Sequence, residues 1–226
     1  MPLLYTIGLY TAGPAIRAVW RPAVEGLEHL PKSGGAVLAS NHLSVADEYM
    51  MGAVVPRHIA FWAKSEYFHG TGIKGWAIKA LMNSLGAIEV NREGGRAALT
   101  ALDAAIPALR AGDLVGVYPE GTRSPDGRLY RGRTGAVRLA LLAEVPIVPV
   151  GIRGTDAVQP IGTLVPKLKA RTVTIKFGKA MDVAGRTLDS STLRAITDEL
   201  MHNIKALTSQ EYVGRYAPRK GGTGEQ

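Results

Sequence analysis

An α/β fold in a single domain, with a central mixed sheet flanked by helices, is predicted by three observations. Short apolar runs alternate with longer stretches of helical period, no linker or internal repeat divides the chain, and 226 residues are enough to bury one sizeable core. The apolar runs are GAVLAS (35–40), HIAFWAK (58–64), GAIEV (86–90), DLVGVY (113–118), VPIVPVGI (145–152) and RTVTIKFG (171–178), each with the length and bounding residues of a strand. Between them, 45–54, 73–85, 95–110, 134–143 and 190–207 have helical length and composition. Pro107 falls inside the third of these and predicts a kink, because proline lacks an N–H and its ring crowds the preceding turn.

The two ends read differently from the domain proper, which is assigned to 23–216. Residues 1–22, MPLLYTIGLYTAGPAIRAVWRP, carry no charge through Ile16, yet fall short of the ~20 apolar residues of a spanning helix, and Gly13-Pro14 interrupts them. They also lack the basic start of a secretory signal. They are expected to form a helical segment in or against a membrane interface, with Arg17, Trp20 and Arg21 near the head groups; a helix packed on the core is the other reading. Residues 217–226, APRKGGTGEQ, are polar and glycine-rich and read as a mobile tail.

Composition narrows the chemistry. A formal charge of +8 points to a phosphate-bearing partner: nucleic acid, lipid head groups or a small anionic substrate. Without cysteine, disulfide frameworks, thiolate metal sites and thiol catalysis are excluded, and a reducing compartment is compatible.

The stretch ASNHLSVADEYMM (39–51) sets His42 five positions before Asp47. On a regular helix those two would be about 140° out of phase. Ser44, however, is a good N-cap with an acid three residues on, which makes Asp47 the third helical residue and leaves His42 in the loop ahead. The imidazole can then fold back over the first turn, where Asp47 accepts from one ring nitrogen and leaves the other to take a proton. Such a pair is a general base with its orienter; a plain capping acid beside an incidental histidine has the same spacing. Backbone N–H groups at the start of this helix are candidate oxyanion donors. Ser44 is a rival nucleophile, countered by its capping role and by the lack of any G-x-S-x-G elbow.

Three more stretches carry complementary groups. VYPEGTRS (117–124) runs from a strand into Pro119, Glu120, Gly121 and Arg123, where glycine permits close backbone approach and arginine offers a planar fork for a phosphate. GAIEVNRE delivers Arg92 to a strand end, and FWAKSEYF does the same with Lys64. Gly70-x-Gly72-x-x-Gly75 has the spacing of a dinucleotide-binding turn, but too many residues separate it from the preceding strand. IKGWAIKALMNSL puts Ile73, Trp76, Ala77, Ala80 and Leu81 on one helical stripe, expected to pack on the core, with a bilayer as the alternative. Arg128, Arg131, Arg133 and Arg138 form a basic cluster, as do Lys167, Lys169, Arg171, Lys176 and Lys179; both suit anionic lipid, donor phosphates or a solubilising face.

Taken in order, Asn41-His42-x-x-x-x-Asp47, Gly86-x-Ile88-x-Val90-Asn91-Arg92, Tyr118-Pro119-Glu120-Gly121-Thr122-Arg123-Ser124 and Val145-Pro146-Ile147-Val148-Pro149-Val150 resemble the four motif blocks of the glycerolipid acyltransferases, particularly the bacterial 1-acylglycerol-3-phosphate acyltransferases. The resemblance implies that His42 is the general base and Asp47 its partner. It further implies that Arg92, Glu120, Gly121 and Arg123 hold the glycerol-phosphate acceptor, with Lys64 matching a phosphate-contacting lysine of some members. The implied reaction moves a fatty acyl group from a thioester of coenzyme A or acyl carrier protein to lysophosphatidic acid, giving phosphatidic acid. No metal or resident cofactor is expected. The partners are those two substrates and a membrane surface rather than nucleic acid, at the cytoplasmic face of the cell membrane. Sister acyltransferases acting on glycerol 3-phosphate or a glycolipid share these motifs, and a basic binding module without chemistry is the non-enzyme alternative.

Overall fold

The computed structural model describes residues 3–84, 86–90, 102–169 and 173–218. The chain opens with two helices, α1 (Leu3–Tyr10) and α2 (Ala12–Trp20). The break falls at Thr11, whose hydroxyl donates back to the Ile7 carbonyl, and not at Gly13-Pro14. Pro14 sits instead in the first turn of α2, where a missing N–H leaves no bond unmade. Trp20 is buried rather than placed for a head-group layer, and Arg17 donates to the Ala53 carbonyl at 2.8 Å.

Six strands form the central sheet: β1 (Ala23–Glu25), β2 (Ala36–Ser40), β3 (Ile59–Ala60), β6 (Leu114–Val117), β8 (Ile147–Arg153) and β9 (Thr174–Phe177). Their order is β1-β9-β8-β2-β6-β3, parallel throughout except for the antiparallel β8–β9 pair. The sheet is therefore mixed and mostly parallel. Strand period two divides its side chains between two cores. Val37, Ala39, Val115 and Ile147 pack with α6 (Gly135–Ala143), α8 (Ser190–Thr208) and the short α5 (Ile106–Arg110). Ala36, Leu38, Leu114 and Val148 face the other way, onto Trp20 and α3 (Ala46–Val54). α8 is capped by Asp189, whose carboxylate accepts from the Ser191 and Thr192 amides.

Several expectations shift. The 58–64 run is two strands: β3 joins the main sheet, while β4 (Trp62–Lys64) pairs with β5 (Ile88–Val90) in a small sheet of its own. Pro107 lies in the first turn of α5, so it starts a helix rather than kinking one. β1, β7 (Leu129–Tyr130), β10 (Tyr212–Val213) and α7 (Thr155–Val158) are too short to leave a periodic signal. The stripe on α4 (Gly72–Ser84) is turned outward, with Ile73 89% and Trp76 70% exposed, so core packing of this face is corrected. The glycine triplet at its start serves packing: a Cβ on Gly75, inside the first turn, would lie 2.1 Å from the Gly70 carbonyl carbon.

Because β2, β6 and β8 run parallel, their carboxyl ends gather at one edge of the sheet. The loops after all three meet there, which is where open α/β sheets place their sites.

Candidate active site

The β2–α3 loop holds the imidazole. Asn41 ends the strand with a side chain that continues the ladder, donating to the Ile152 carbonyl and accepting the Ile152 N–H, both at 2.8 Å. His42 follows, and its Nδ1 lies 2.8 Å from Oδ2 of Asp47, so the residues five apart in sequence meet as the loop folds over the helix start. The same Oδ2 accepts the Leu43 N–H at 2.8 Å and the Ser44 N–H at 3.0 Å, while Oδ1 accepts the Thr155 hydroxyl. Four donors thus satisfy a fully buried carboxylate that has no cation beside it among the described residues.

Ser44 completes the turn. Its Oγ accepts the Ala46 N–H at 3.1 Å and donates to the Gln159 carbonyl at 2.5 Å. The hydroxyl is buried and committed, which removes it as a nucleophile. The Leu43, Ser44 and Ala46 amides are committed too, so these three do not serve as the oxyanion donors expected at the helix start.

The β6–β7 loop wraps the other side of the histidine. The Tyr118 ring stacks on the imidazole, centroids 3.7 Å apart and planes 12° from parallel. Glu120 Oε1 accepts the His42 N–H at 3.1 Å, and the Ser124 N–H donates to the His42 carbonyl at 2.7 Å. Glu120 Oε2 accepts the Tyr130 N–H at 2.9 Å. Both oxygens of this buried side chain therefore brace backbone; burial pushes its carboxyl up to about 7, against the pull of the two amides. Gly121 has φ +76, a left-handed conformation that lets the chain turn back toward Arg133. Burial also pushes the Tyr118 phenol well up, and its hydroxyl has no hydrogen-bond partner among the described residues.

His42 is locked on three sides: acid at Nδ1, aromatic ring on one face, and the Glu120 carboxylate and Ser124 amide at its main-chain groups. Its side chain remains 14% exposed, and among the described residues Nε2 has no partner. With Nδ1–H donated to Asp47, that nitrogen carries the free lone pair.

The cations are more scattered. Among the described residues nothing pairs with the Arg123 guanidinium, one residue before the Ser124 amide that binds His42. Lys64 is the last residue of β4, in register with Val90, while Arg92 lies outside the described residues. In the basic cluster, Arg128 pairs with Asp126 and Arg138 with Asp103, whereas Arg131 and Arg133 lie against the Tyr216 ring at 5.4 and 4.8 Å.

An apolar cavity of about 310 Å³ runs beside α3, lined by Leu9, Ile16, Tyr49, Phe61 and Met82 among others. Glu48 and Tyr49, which follow Asp47 on the same helix, form part of its wall. No helix of the described residues is long and apolar enough to cross a membrane.

A His–Asp pair thus lies at the carboxyl edge of a mixed α/β sheet, backed by an arginine-bearing loop, and the chain belongs to the acyltransferase family, whose model matches residues 21–153. It is 34% identical to a chloroplast 1-acyl-sn-glycerol-3-phosphate acyltransferase of Arabidopsis thaliana over 67% of this chain and 41% of that protein. A 1-acyl-sn-glycerol-3-phosphate acyltransferase of Bacillus subtilis is 28% identical over 81% of this chain and 86% of its own length. The crystal structure of a 1-acyl-sn-glycerophosphate acyltransferase from Thermotoga maritima superimposes with a TM-score of 0.65 at 27% identity, covering 88% of this chain and 78% of that one. The chain thus spans less than half the length of the plant relative and most of the bacterial ones.

Proposed function

We propose that the protein transfers a fatty acyl group from an acyl thioester to the free hydroxyl of 1-acylglycerol 3-phosphate, forming phosphatidic acid. The observation that carries this reading is the His42 imidazole, oriented through Nδ1 by Asp47 and open at Nε2. Nε2 takes the hydroxyl proton as the oxygen attacks the thioester carbonyl; the new C–O bond forms, the C–S bond breaks, and the departing thiolate takes the proton back. General-base catalysis of this kind contributes roughly 10²–10⁴-fold, and holding the two substrates together contributes more. Arg123, with no partner among the described residues, is suited to the acceptor phosphate, with Lys64 and Arg92 as its proposed companions. Glu120 acts by fixing the loop that bears Gly121 and Arg123 against His42. The apolar cavity beside α3 suits an acyl chain.

The substrates are lipids, and the protein is placed at the cytoplasmic face of a membrane. Exposed Ile7 and Tyr10 on α1 and Ile73 and Trp76 on α4 support a bilayer contact around the helices that line the cavity. The test is release of free thiol from acyl-coenzyme A on adding lysophosphatidic acid, with glycerol 3-phosphate as a parallel acceptor. The wild-type chain is expected to turn over with lysophosphatidic acid, and His42→Ala to lose about 10²–10⁴-fold. Near-normal turnover in that variant would remove the base.

A further inference from the structure

The loop between α7 and β9 has no part in the chemistry above, yet it is built with unusual care. Leu164, Val165 and Leu168 are 93%, 77% and 65% exposed within five residues, flanked by exposed Lys167 and Lys169. Single exposed apolar side chains are ordinary; three adjoining ones on one loop are not. Nor is the loop slack. The Gln159 side-chain amide donates to the carbonyls of Thr163 at 3.2 Å and Leu164 at 3.3 Å, and the Thr163 N–H and hydroxyl both return to the Pro160 carbonyl. The far limb is pinned by the Lys167 N–H on the Val158 carbonyl at 2.7 Å and by the Trp20 indole on the Lys167 carbonyl at 3.0 Å. A loop braced at both limbs cannot collapse its leucines onto the core.

We infer that residues 160–169 form a bilayer-insertion loop, distinct from the α1 and α4 contacts, with Leu164, Val165 and Leu168 entering the acyl region and Lys167 and Lys169 meeting anionic head groups. The inference rests on the membrane reading above and adds a second, separate anchor to it. An apolar tip with cations on its C-terminal limb matches the layering of an anionic bilayer surface, where apolar burial and charge attraction act together. An acidic carrier protein would use the lysines and leave the leucines in water. The loop also reports to the site: the Gln159 carbonyl accepts from Ser44, and its side-chain oxygen accepts from the Tyr49 hydroxyl on α3. It meets the last residue of α2, about 13 Å along that helix from the α1–α2 turn. Contacts at both places would fix the tilt of the site against the membrane.

The test uses co-sedimentation with vesicles of phosphatidylcholine alone or mixed with phosphatidylglycerol, and turnover on a vesicle-borne acceptor and on a water-dispersed short-chain one. Wild type should bind the mixed vesicles. The triple change Leu164→Ser, Val165→Ser and Leu168→Ser should weaken that partition by about ten-fold or more while short-chain turnover stays unchanged. Lys167→Gln with Lys169→Gln should lose the preference for phosphatidylglycerol and keep binding to phosphatidylcholine. If wild type binds and the triple-serine variant binds equally, the loop is not an anchor, although Ile7→Ser with Tyr10→Ser would still report on α1. If wild type binds neither vesicle, the membrane reading itself fails. A triple variant impaired only with acyl carrier protein thioesters would make the loop a protein-docking element and overturn the bilayer assignment.

Discussion

The two sides of the site are built in opposite ways. On the base side the groups that hold the imidazole are committed: Asp47 accepts four donors, Ser44 both gives and accepts, and the main-chain groups of His42 are tied to the Glu120 carboxylate and the Ser124 amide. On the cation side the Arg123 guanidinium has no partner among the described residues, and Arg131 and Arg133 rest on an aromatic face instead of on carboxylates. The contrast fits what the proposed reaction asks of each side. A proton acceptor has to be oriented before the substrate arrives, since any reorganisation adds to the barrier. A cation meant for a phosphate has to remain unneutralised until the phosphate comes.

The sharpest way to break this contrast is Asp47→Asn. The asparagine oxygen can take the place of Oδ2 and keep its three N–H donors, while the amide nitrogen faces the Thr155 hydroxyl, which can turn to accept. The fold should therefore survive with a similar melting temperature. What disappears is the negative charge that stabilises the imidazolium during transfer, and turnover should fall by about 10²–10⁴-fold. A rate within about three-fold of wild type would mean that the buried charge serves only the helix start.

Arg123→Ala probes the unpaired side, with a smaller expected effect. A charge-assisted contact shielded from water contributes about 1.5–3 kcal/mol, so kcat/KM for the phosphate-bearing acceptor should drop by about 10–100-fold. The thioester's KM should change by less than about two-fold, because the lost fork serves only one substrate. Equal losses for both substrates would place Arg123 in a general structural role.

How much of this was legible depended on range. The His42–Asp47 contact is local and depends on an acid in the first turn of α3: the helix starts at Ala46 with Val45 at its N-cap, so Asp47 is the second helical residue rather than the third that a Ser44 cap predicts, and the residues five apart still meet. The main strands of the sheet were legible as apolar runs, because a strand covered on both faces must be apolar nearly throughout. Thr155 and Gln159 left no mark, since their roles exist only because β8 ends beside β2 more than a hundred residues away in sequence. Tyr118 was visible in its motif, but nothing in the letters says that its ring lies flat on the imidazole. The α4 stripe misled for a physical reason: period 3.6 records that one face is apolar, and a bilayer satisfies that face as well as a core does.

Glu120 gives the most specific effect, read in stability rather than turnover, because it joins the two sides. Its ordinary value of 4.5 rises to about 7 in the fold, chiefly through burial, while the Tyr130 and His42 amides pull the other way. A carboxyl raised on folding contributes stability that is fully present below about pH 4.5 and lost as pH climbs through about 7. The loss is bounded at about 3 kcal/mol by the size of the shift. Glu120→Gln cannot titrate, so the gap in melting temperature between wild type and variant should narrow as pH rises from about 4.5 to about 7. The glutamine has one oxygen for two amide donors, the His42 N–H and the Tyr130 N–H, so one of them loses its acceptor at every pH. A gap that stays constant across that window would show that the amides outweigh burial and hold Glu120 ionised, making it a permanent charge beside the base rather than a neutral brace.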